Sequence, residues 1–200
     1  MPNLRTTAPA GAMLAFAFAL TCPVGHAEEA RYYFKISDVH AQDRKIIPMA
    51  KELLQKDVES RPELTSEPGE GGDEASRLAA LKKRGIDAYL VSMRITSVKT
   101  EIKPPAPGKS DQQMAVEVKL SIFGHTLPGN KVMFNGDGES SLLGDFSERL
   151  RDKEEERFTK TALEGAIKQA VSTGIEKLMH ASLDSGKIAK VKKGKGKSKR

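Results

Sequence analysis

The stretch "MAVEVKLSIF" (Met114–Phe123) is the clearest indication of the fold, because apolar and polar residues alternate along it. Successive side chains of a β-strand point to opposite faces of the sheet, so this alternation predicts one buried face and one solvated face. The apolar positions are Val116, Val118, Leu120 and Ile122, and the polar positions between them are Glu117, Lys119 and Ser121. A strand of this kind is typical of an antiparallel sheet that covers a core on one side only.

The segments on either side extend this strand into a meander of three strands. Before it, "IDAYLVSMRITSVKTE" (86–101) alternates in the same way, and the proline-rich segment "KPPAPGKSDQ" (103–112) connects the two. After it, "GHTLPGN" (124–130) turns the chain into "KVMFNGDGESS" (131–141). The glycines of this third segment, Gly136 and Gly138, favour an irregular or edge strand.

The rest of the chain predicts two more strands and three helices. "EARYYFKISDV" (29–39) is a predicted strand, and "ELTSE" (63–67) is a short one. Apolar residues recur at helical spacing over 48–61, which predicts the first helix. They recur again in the segment before Gly85, which predicts a second helix with Gly85 as its C-terminal cap. The longest apolar stripe predicts a helix from about Asp152 to His180.

Amphipathic helices can cover the apolar side of such one-faced strands, which predicts an α+β fold. We expect a two-layer sandwich with a mainly antiparallel sheet, helices packed on one face and a long C-terminal helix. Residues 28–186 are predicted to form this single α/β domain. A signal peptide over 1–27 precedes it, and a disordered basic tail over 187–200 follows it.

The first 27 residues read as a secretory signal peptide. An apolar run from Gly11 to Thr21 has the length of a signal core but is too short to span a bilayer as a helix. Small residues precede the bond between Ala27 and Glu28, where we place cleavage and hence export to the periplasm or beyond. Two alternatives stay open: lipidation at Cys22, which would anchor the chain, and an uncleaved amphipathic or buried helix.

The last fourteen residues hold eight basic residues and no acid, whereas all 27 acidic residues of the chain lie between 28 and 186. Glycine and serine interrupt this polycation, which predicts disorder and binding to polyanions without sequence preference. The predicted anion-binding residues are Lys187, Lys190, Lys192, Lys193, Lys195, Lys197, Lys199 and Arg200. In the cytosol the partner would be a nucleic acid; outside the inner membrane it would be an acidic lipid, lipopolysaccharide or a wall polymer.

The sequence carries no recognisable catalytic, metal or cofactor motif, so we expect neither an enzyme nor a cofactor protein. His40, His125 and His180 are far apart in the sequence and lack cysteine partners, and "NGDGE" (135–139) reads as a polar turn or bulge rather than a cation site. Tyr32 and Tyr33 are the aromatic residues best placed for sugar binding, although a core role is the simpler interpretation.

The order of elements also resembles that of a group of small periplasmic domains. "RGIDAYLVSMRITSV" (84–98) after a short helix, and "TALEGAIKQAVSTGIEKLM" (161–179) at the end, carry the resemblance. It is to the periplasmic domain of the curli secretion channel and to the amino-terminal domain of the Tol translocation protein. It implies a scaffold or binding module in envelope assembly and supplies no catalytic residues; the membrane-spanning strands of the curli channel have no counterpart here.

The sequence therefore predicts an exported, non-catalytic binding or scaffold module of the bacterial cell envelope. Its basic tail would attach it to an anionic envelope component, or the domain would bind an envelope protein. A nucleic-acid-binding protein that uses the lysine-rich tail is one alternative, and an enzyme whose site is assembled from scattered residues is another.

Overall fold

The structure, a computed structural model, describes residues 30–105, 107–108 and 112–194, with the helical backbone alone over 182–194. The strands are β1 (Tyr32–His40), β2 (Leu64–Thr65), β3 (Asp87–Lys103), β4 (Gln112–Thr126) and β5 (Val132–Phe146). The helices are α1 (Ile46–Glu59), α2 (Glu74–Lys83) and α3 (Arg151–Gly194), and a 3₁₀ turn (Glu148–Leu150) precedes α3. All three predicted helices and all five predicted strands form.

The five strands make one mixed sheet in the order β2-β1-β3-β4-β5. β3, β4 and β5 form the predicted antiparallel meander, while β1 runs parallel to both β2 and β3. The predicted α+β fold with a long C-terminal helix is confirmed.

One face of the sheet carries the main core, and α1 and α3 cover it. Along β4 every second side chain is buried, from Met114 to Ile122, as the alternation predicts. Four rings, Tyr32, Phe34, Tyr89 and Phe134, pack against one another in this core, with the Phe34 and Phe134 rings stacked at 5.6 Å between centroids. We call the other side the open face, because most of its side chains are polar.

The prediction that the helices share one face is wrong for α2. Leu81 of α2 packs with Tyr33 and Ile86 in a separate small cluster, and Tyr33 points away from its buried neighbours Tyr32 and Phe34. The sheet order is β2-β1-β3, so the chain goes from β1 to β2 in one direction across the sheet. It then goes from β2 to β3 in the opposite direction and passes β1 on the way. Because parallel crossovers are right-handed, reversing direction moves the helix to the opposite face.

Capping bonds set the position of α2 at both ends. Asp73 accepts a hydrogen bond at 2.6 Å from the Ser76 backbone N–H at the start of the helix. At its end Gly85 has φ +77°, and its N–H donates to the Lys82 carbonyl while the Ile86 N–H donates to the Leu81 carbonyl. This pair of bonds is a Schellman motif, so the predicted cap at Gly85 is confirmed.

The glycines of β5 allow α3 to lie directly on the strand. A Cβ added at Gly138 would overlap the Ala166 carbonyl oxygen, and one at Gly136 would overlap the Ala170 carbonyl oxygen and lie 3.0 Å from the Gly174 nitrogen. Four helix residues advance about 6 Å and two strand residues about 6.8 Å, so the two elements stay nearly in register. "NGDGE" is therefore the interior of an edge strand, and its interpretation as a turn or bulge is wrong.

The prediction that the last helix ends near His180 is also wrong, because α3 continues to Gly194. Residues 187–194, predicted as part of a disordered tail, thus have a helical backbone, and residues 195–200 lie outside the described part of the chain. The stretch "SLDSG" (182–186) contains no proline, and the lysines and alanine that follow it are favourable helix formers, so the helix continues through it. The predicted signal peptide also lies outside the described residues.

Candidate functional site

Several chain segments meet at one end of the sheet, which we call the tip and define as residues 82–87 and 127–133. Strand registers place Asp87 beside Tyr32, Thr126 beside Tyr89 and Val132 beside His125, so β1, β3 and β5 start here and β4 ends here. Gly174 of α3 lies against Phe134, near the start of β5. Continuing at 1.5 Å per residue, α3 passes the level of Val132 near Leu178 and extends roughly 24 Å further to Gly194.

The tip combines exposed cations with exposed apolar side chains. Lys82, Lys83, Arg84 and Lys131 are exposed here, together with one acid, Asp87. Val132 is 57% exposed and Met133 is 39% exposed. At the opposite end of the domain, where α3 begins, the charges are mixed, because Asp152 and Glu154 lie among the exposed Arg151, Lys153 and Arg157. The tip, from which the lysine-rich segment leaves, therefore carries an excess of cations, whereas the charges at the start of α3 are mixed.

A groove of about 820 Å³ runs beside the tip between α2 and the turn that joins β4 to β5. Its apolar lining includes Leu78, Ile86 and Leu127, and Glu74 and Lys82 stand on its rim. Lys35 donates a 2.6 Å hydrogen bond to Glu74, which raises the pKa of the Lys35 ammonium. The groove is open to solvent and its charged rim residues are mixed in sign, so it favours no particular ligand charge.

The predicted anion-binding residues divide into two groups. Lys187, Lys190, Lys192 and Lys193 belong to the helical backbone of α3 beyond the tip. Lys195, Lys197, Lys199 and Arg200 lie outside the described residues. Anion binding by these eight residues stays a prediction.

A second depression, of about 300 Å³, lies on the open face and brings together residues that are distant in the sequence. His40 and His125, separated by 85 positions in the chain, both line it, together with Ser92, Arg94 and Phe123. The register explains the arrangement, because His40 pairs with Arg94 across β1 and β3, and Ser92 pairs with Phe123 across β3 and β4. His180 is elsewhere, on α3.

Alternation along β4 could have located part of this depression in the sequence. Phe123 lies on the same face of β4 as Glu117, Lys119 and Ser121, so an aromatic ring stands on the solvated face of the strand. By contrast, Tyr32 and Tyr33 are only 6% and 8% exposed, which excludes them as a sugar platform. Within the described residues, no group of three histidine, cysteine or acidic side chains is close enough to hold a metal ion.

Most other polar side chains on the open face pair with one another. Lys119 lies 2.9 Å from Glu139 and 3.1 Å from Glu117, and these hydrogen bonds raise the pKa of its ammonium group. Ser121 donates to Asp137 at 2.7 Å. Arg94, in the depression, takes no part in these pairs. In the part of the chain that the structure describes, no helix is both long enough and apolar enough to pass through a membrane.

No protein-family model matches the chain, and no curated protein matches it in sequence. Among similar solved structures is a candidate lipoprotein of Caulobacter crescentus, with 12% identity, a TM-score of 0.43, and coverage of 76% of this chain and 91% of that one. A Xanthomonas campestris protein has 8% identity and a TM-score of 0.44, covering 82% and 92%. A minor lipoprotein of Acinetobacter baumannii has 6% identity and a TM-score of 0.32, covering 70% and 85%.

Proposed function

We propose that this chain is an exported, non-catalytic binding or scaffold module of the bacterial cell envelope, held on anionic envelope components by its basic C-terminal segment. The observation that carries the proposal is the separation of charge. Eight basic residues without an acid follow a domain that contains every acidic residue of the chain. Helix α3 carries the start of that segment beyond the tip, where the exposed side chains are also mainly basic.

Attraction to an anionic surface is additive over such residues. A basic residue close to an anionic membrane surface contributes about 1 kcal/mol, which falls off within a Debye length. The cations at the tip lie on the side from which the segment leaves, so domain and segment attract the same surface. The start of α3, at the other end of the domain, carries mixed charges and adds little to this attraction.

Whether the basic segment binds envelope components or a nucleic acid depends on whether the chain is exported. An apolar core followed by small residues before Glu28 supports a signal peptide, and an exported polycation meets lipid headgroups and wall polymers before it meets a genome. The mature chain would contain no cysteine, because Cys22 is the only one in the sequence.

Processing of the native protein tests export directly. We expect amino-terminal sequencing of the protein from fractionated cells to begin at Glu28, in the periplasmic or envelope fraction. Replacing Ala27 by Leu should slow cleavage and leave precursor, since the peptidase requires small residues there; Ala30→Leu, beyond the cleavage site, is the matched control. A native chain that keeps Met1 and fractionates with the cytosol would contradict the proposal.

A further inference from the structure

We propose that the depression on the open face, lined by His40, Ser92, Arg94, Phe123 and His125, binds an acidic sugar, a monosaccharide that carries a phosphate or a carboxylate. This deepens the proposed function, on which it rests, by naming a ligand class for the domain itself. It is independent of the basic segment, which attracts polyanions without regard to their structure.

Arg94 and His40 supply the anion-binding end. They are paired neighbours on β1 and β3, both side chains are exposed, and within the described residues neither has a hydrogen-bond or ion-pair partner. The guanidinium fork matches phosphate and carboxylate groups, and an imidazole adds a donor. Two acids lie nearest in the sheet, Asp38 on β1 and Asp137 on β5, but neither lines the depression.

His125 supplies a donor at the other end. Its Nδ1 atom is buried and has no hydrogen-bond partner among the described residues. A buried N–H without an acceptor is rarer than a buried acceptor without a donor, so the proton belongs on Nε2. Among the described residues Nε2 forms no hydrogen bond, so it can donate to a ligand in the depression that His125 lines.

The floor between these ends suits a sugar ring. Phe123 and Ser92 face each other across β4 and β3, so an aromatic surface and a hydroxyl lie side by side. His125 pairs with Leu90, four residues from Arg94 on β3, which separates the two ends by about 13 Å along the strand before the side chains lean inward. That span and a volume of about 300 Å³ fit a substituted monosaccharide better than an isolated phosphate ion.

The histidines of the mature chain allow a direct test. The protein used is residues 28–200 with the eight basic residues of the C-terminal segment changed to glutamine. Binding of the acidic probes to that segment then cannot mask binding at the depression. The probes are N-acetylglucosamine 1-phosphate and galacturonic acid, with N-acetylglucosamine and inorganic phosphate as the uncharged and sugar-free controls. We expect the imidazole NMR resonances of His40 and His125 to shift and saturate with an acidic sugar, while those of His180 on α3 stay in place.

Variants then test the roles of the lining residues. Arg94→Gln should weaken binding of both acidic sugars at least tenfold, and Phe123→Leu, which keeps an apolar side chain but removes the aromatic ring, should weaken it about fivefold. Lys99→Gln removes another exposed cation from the open face and should leave affinity unchanged. The proposal is overturned if His40 and His125 do not shift, if His180 shifts equally, if inorganic phosphate binds as tightly as the sugar phosphate, or if Arg94→Gln matches Lys99→Gln.

Comparison of free sugars with sugars that are part of lipopolysaccharide or of a wall polymer identifies the source of the ligand. Lipopolysaccharide fragments and acidic wall-polymer fragments are added to the same protein under the same conditions. Shifts of the same two histidines with either fragment support a ligand that is part of the envelope. If only the free sugar phosphate produces them, the ligand is a soluble metabolite and the link to the envelope is overturned.

Discussion

Replacing Gly138 by alanine is expected to lower the free energy of unfolding by about 3 kcal/mol, at the upper end of the usual cost of overpacking. The new methyl group would overlap the Ala166 carbonyl oxygen, which belongs to the hydrogen-bonded backbone of α3. If the new methyl group met a side chain, that side chain could rotate away. The Ala166 carbonyl belongs to the helical backbone, which moves only if the whole helix lifts from β5. Urea denaturation followed by circular dichroism measures the change.

Gly72→Ala is the matched control, because a Cβ at Gly72 meets no atom within 4 Å. Its free energy of unfolding should stay within about 0.5 kcal/mol of the parent value. If Gly138→Ala is as stable as Gly72→Ala, α3 does not lie on β5 at the distance that the structure shows.

Leu163→Ala is expected to cost a similar amount, about 3 kcal/mol, for a different reason. Leu163 is completely buried on α3, in the core that this helix shares with α1 and the sheet. Truncation removes buried methyl groups and leaves a cavity that the surrounding strands fill only in part. The midpoint of urea unfolding should fall while the slope stays constant, since the surface exposed on unfolding changes little.

Leu143→Ala provides the comparison for this variant. Leu143 is 54% exposed on β5, so its truncation should change the free energy of unfolding by less than about 0.5 kcal/mol. A loss below about 1 kcal/mol for Leu163→Ala would mean that α3 is not part of the cooperative core.

Local pattern was sufficient to predict the meander and the long helix. Along most of β4 the polarity of a residue indicates which face of the sheet it occupies, with Phe123 as an exception. The apolar stripe of α3 indicates its buried face in the same way. The cap at Gly85 is also a local feature, set by one residue that tolerates positive φ.

The features that were missed depend on residues distant in sequence. The face occupied by α2 follows from strand order, and a two-residue strand such as β2 gives little sign of where it pairs. The glycines at 136 and 138 looked like a turn because the helix that requires them lies about thirty residues later. His40 and His125 come together only because β1 pairs with the first half of β3, from Asp87 to Arg94, a register that sequence polarity does not specify.

Co-sedimentation with phospholipid vesicles tests whether the basic C-terminal segment holds the domain on an anionic surface. The mature chain, residues 28–200, is compared with the variant in which Lys187, Lys190, Lys192, Lys193, Lys195, Lys197, Lys199 and Arg200 are glutamine. Lys51, Lys99, Lys103 and Lys153 changed to glutamine form the control variant, because these exposed lysines lie in the domain away from the tip.

We expect the parent chain and the control variant to bind vesicles containing phosphatidylglycerol but not vesicles of phosphatidylcholine alone. At about 1 M salt, where the Debye length is about 3 Å, both should be released. The variant without the eight basic residues should bind more than tenfold more weakly at low salt, given about 1 kcal/mol for each residue near the surface. Equal binding by that variant and the parent chain would mean that the basic C-terminal segment does not hold the domain on an anionic surface.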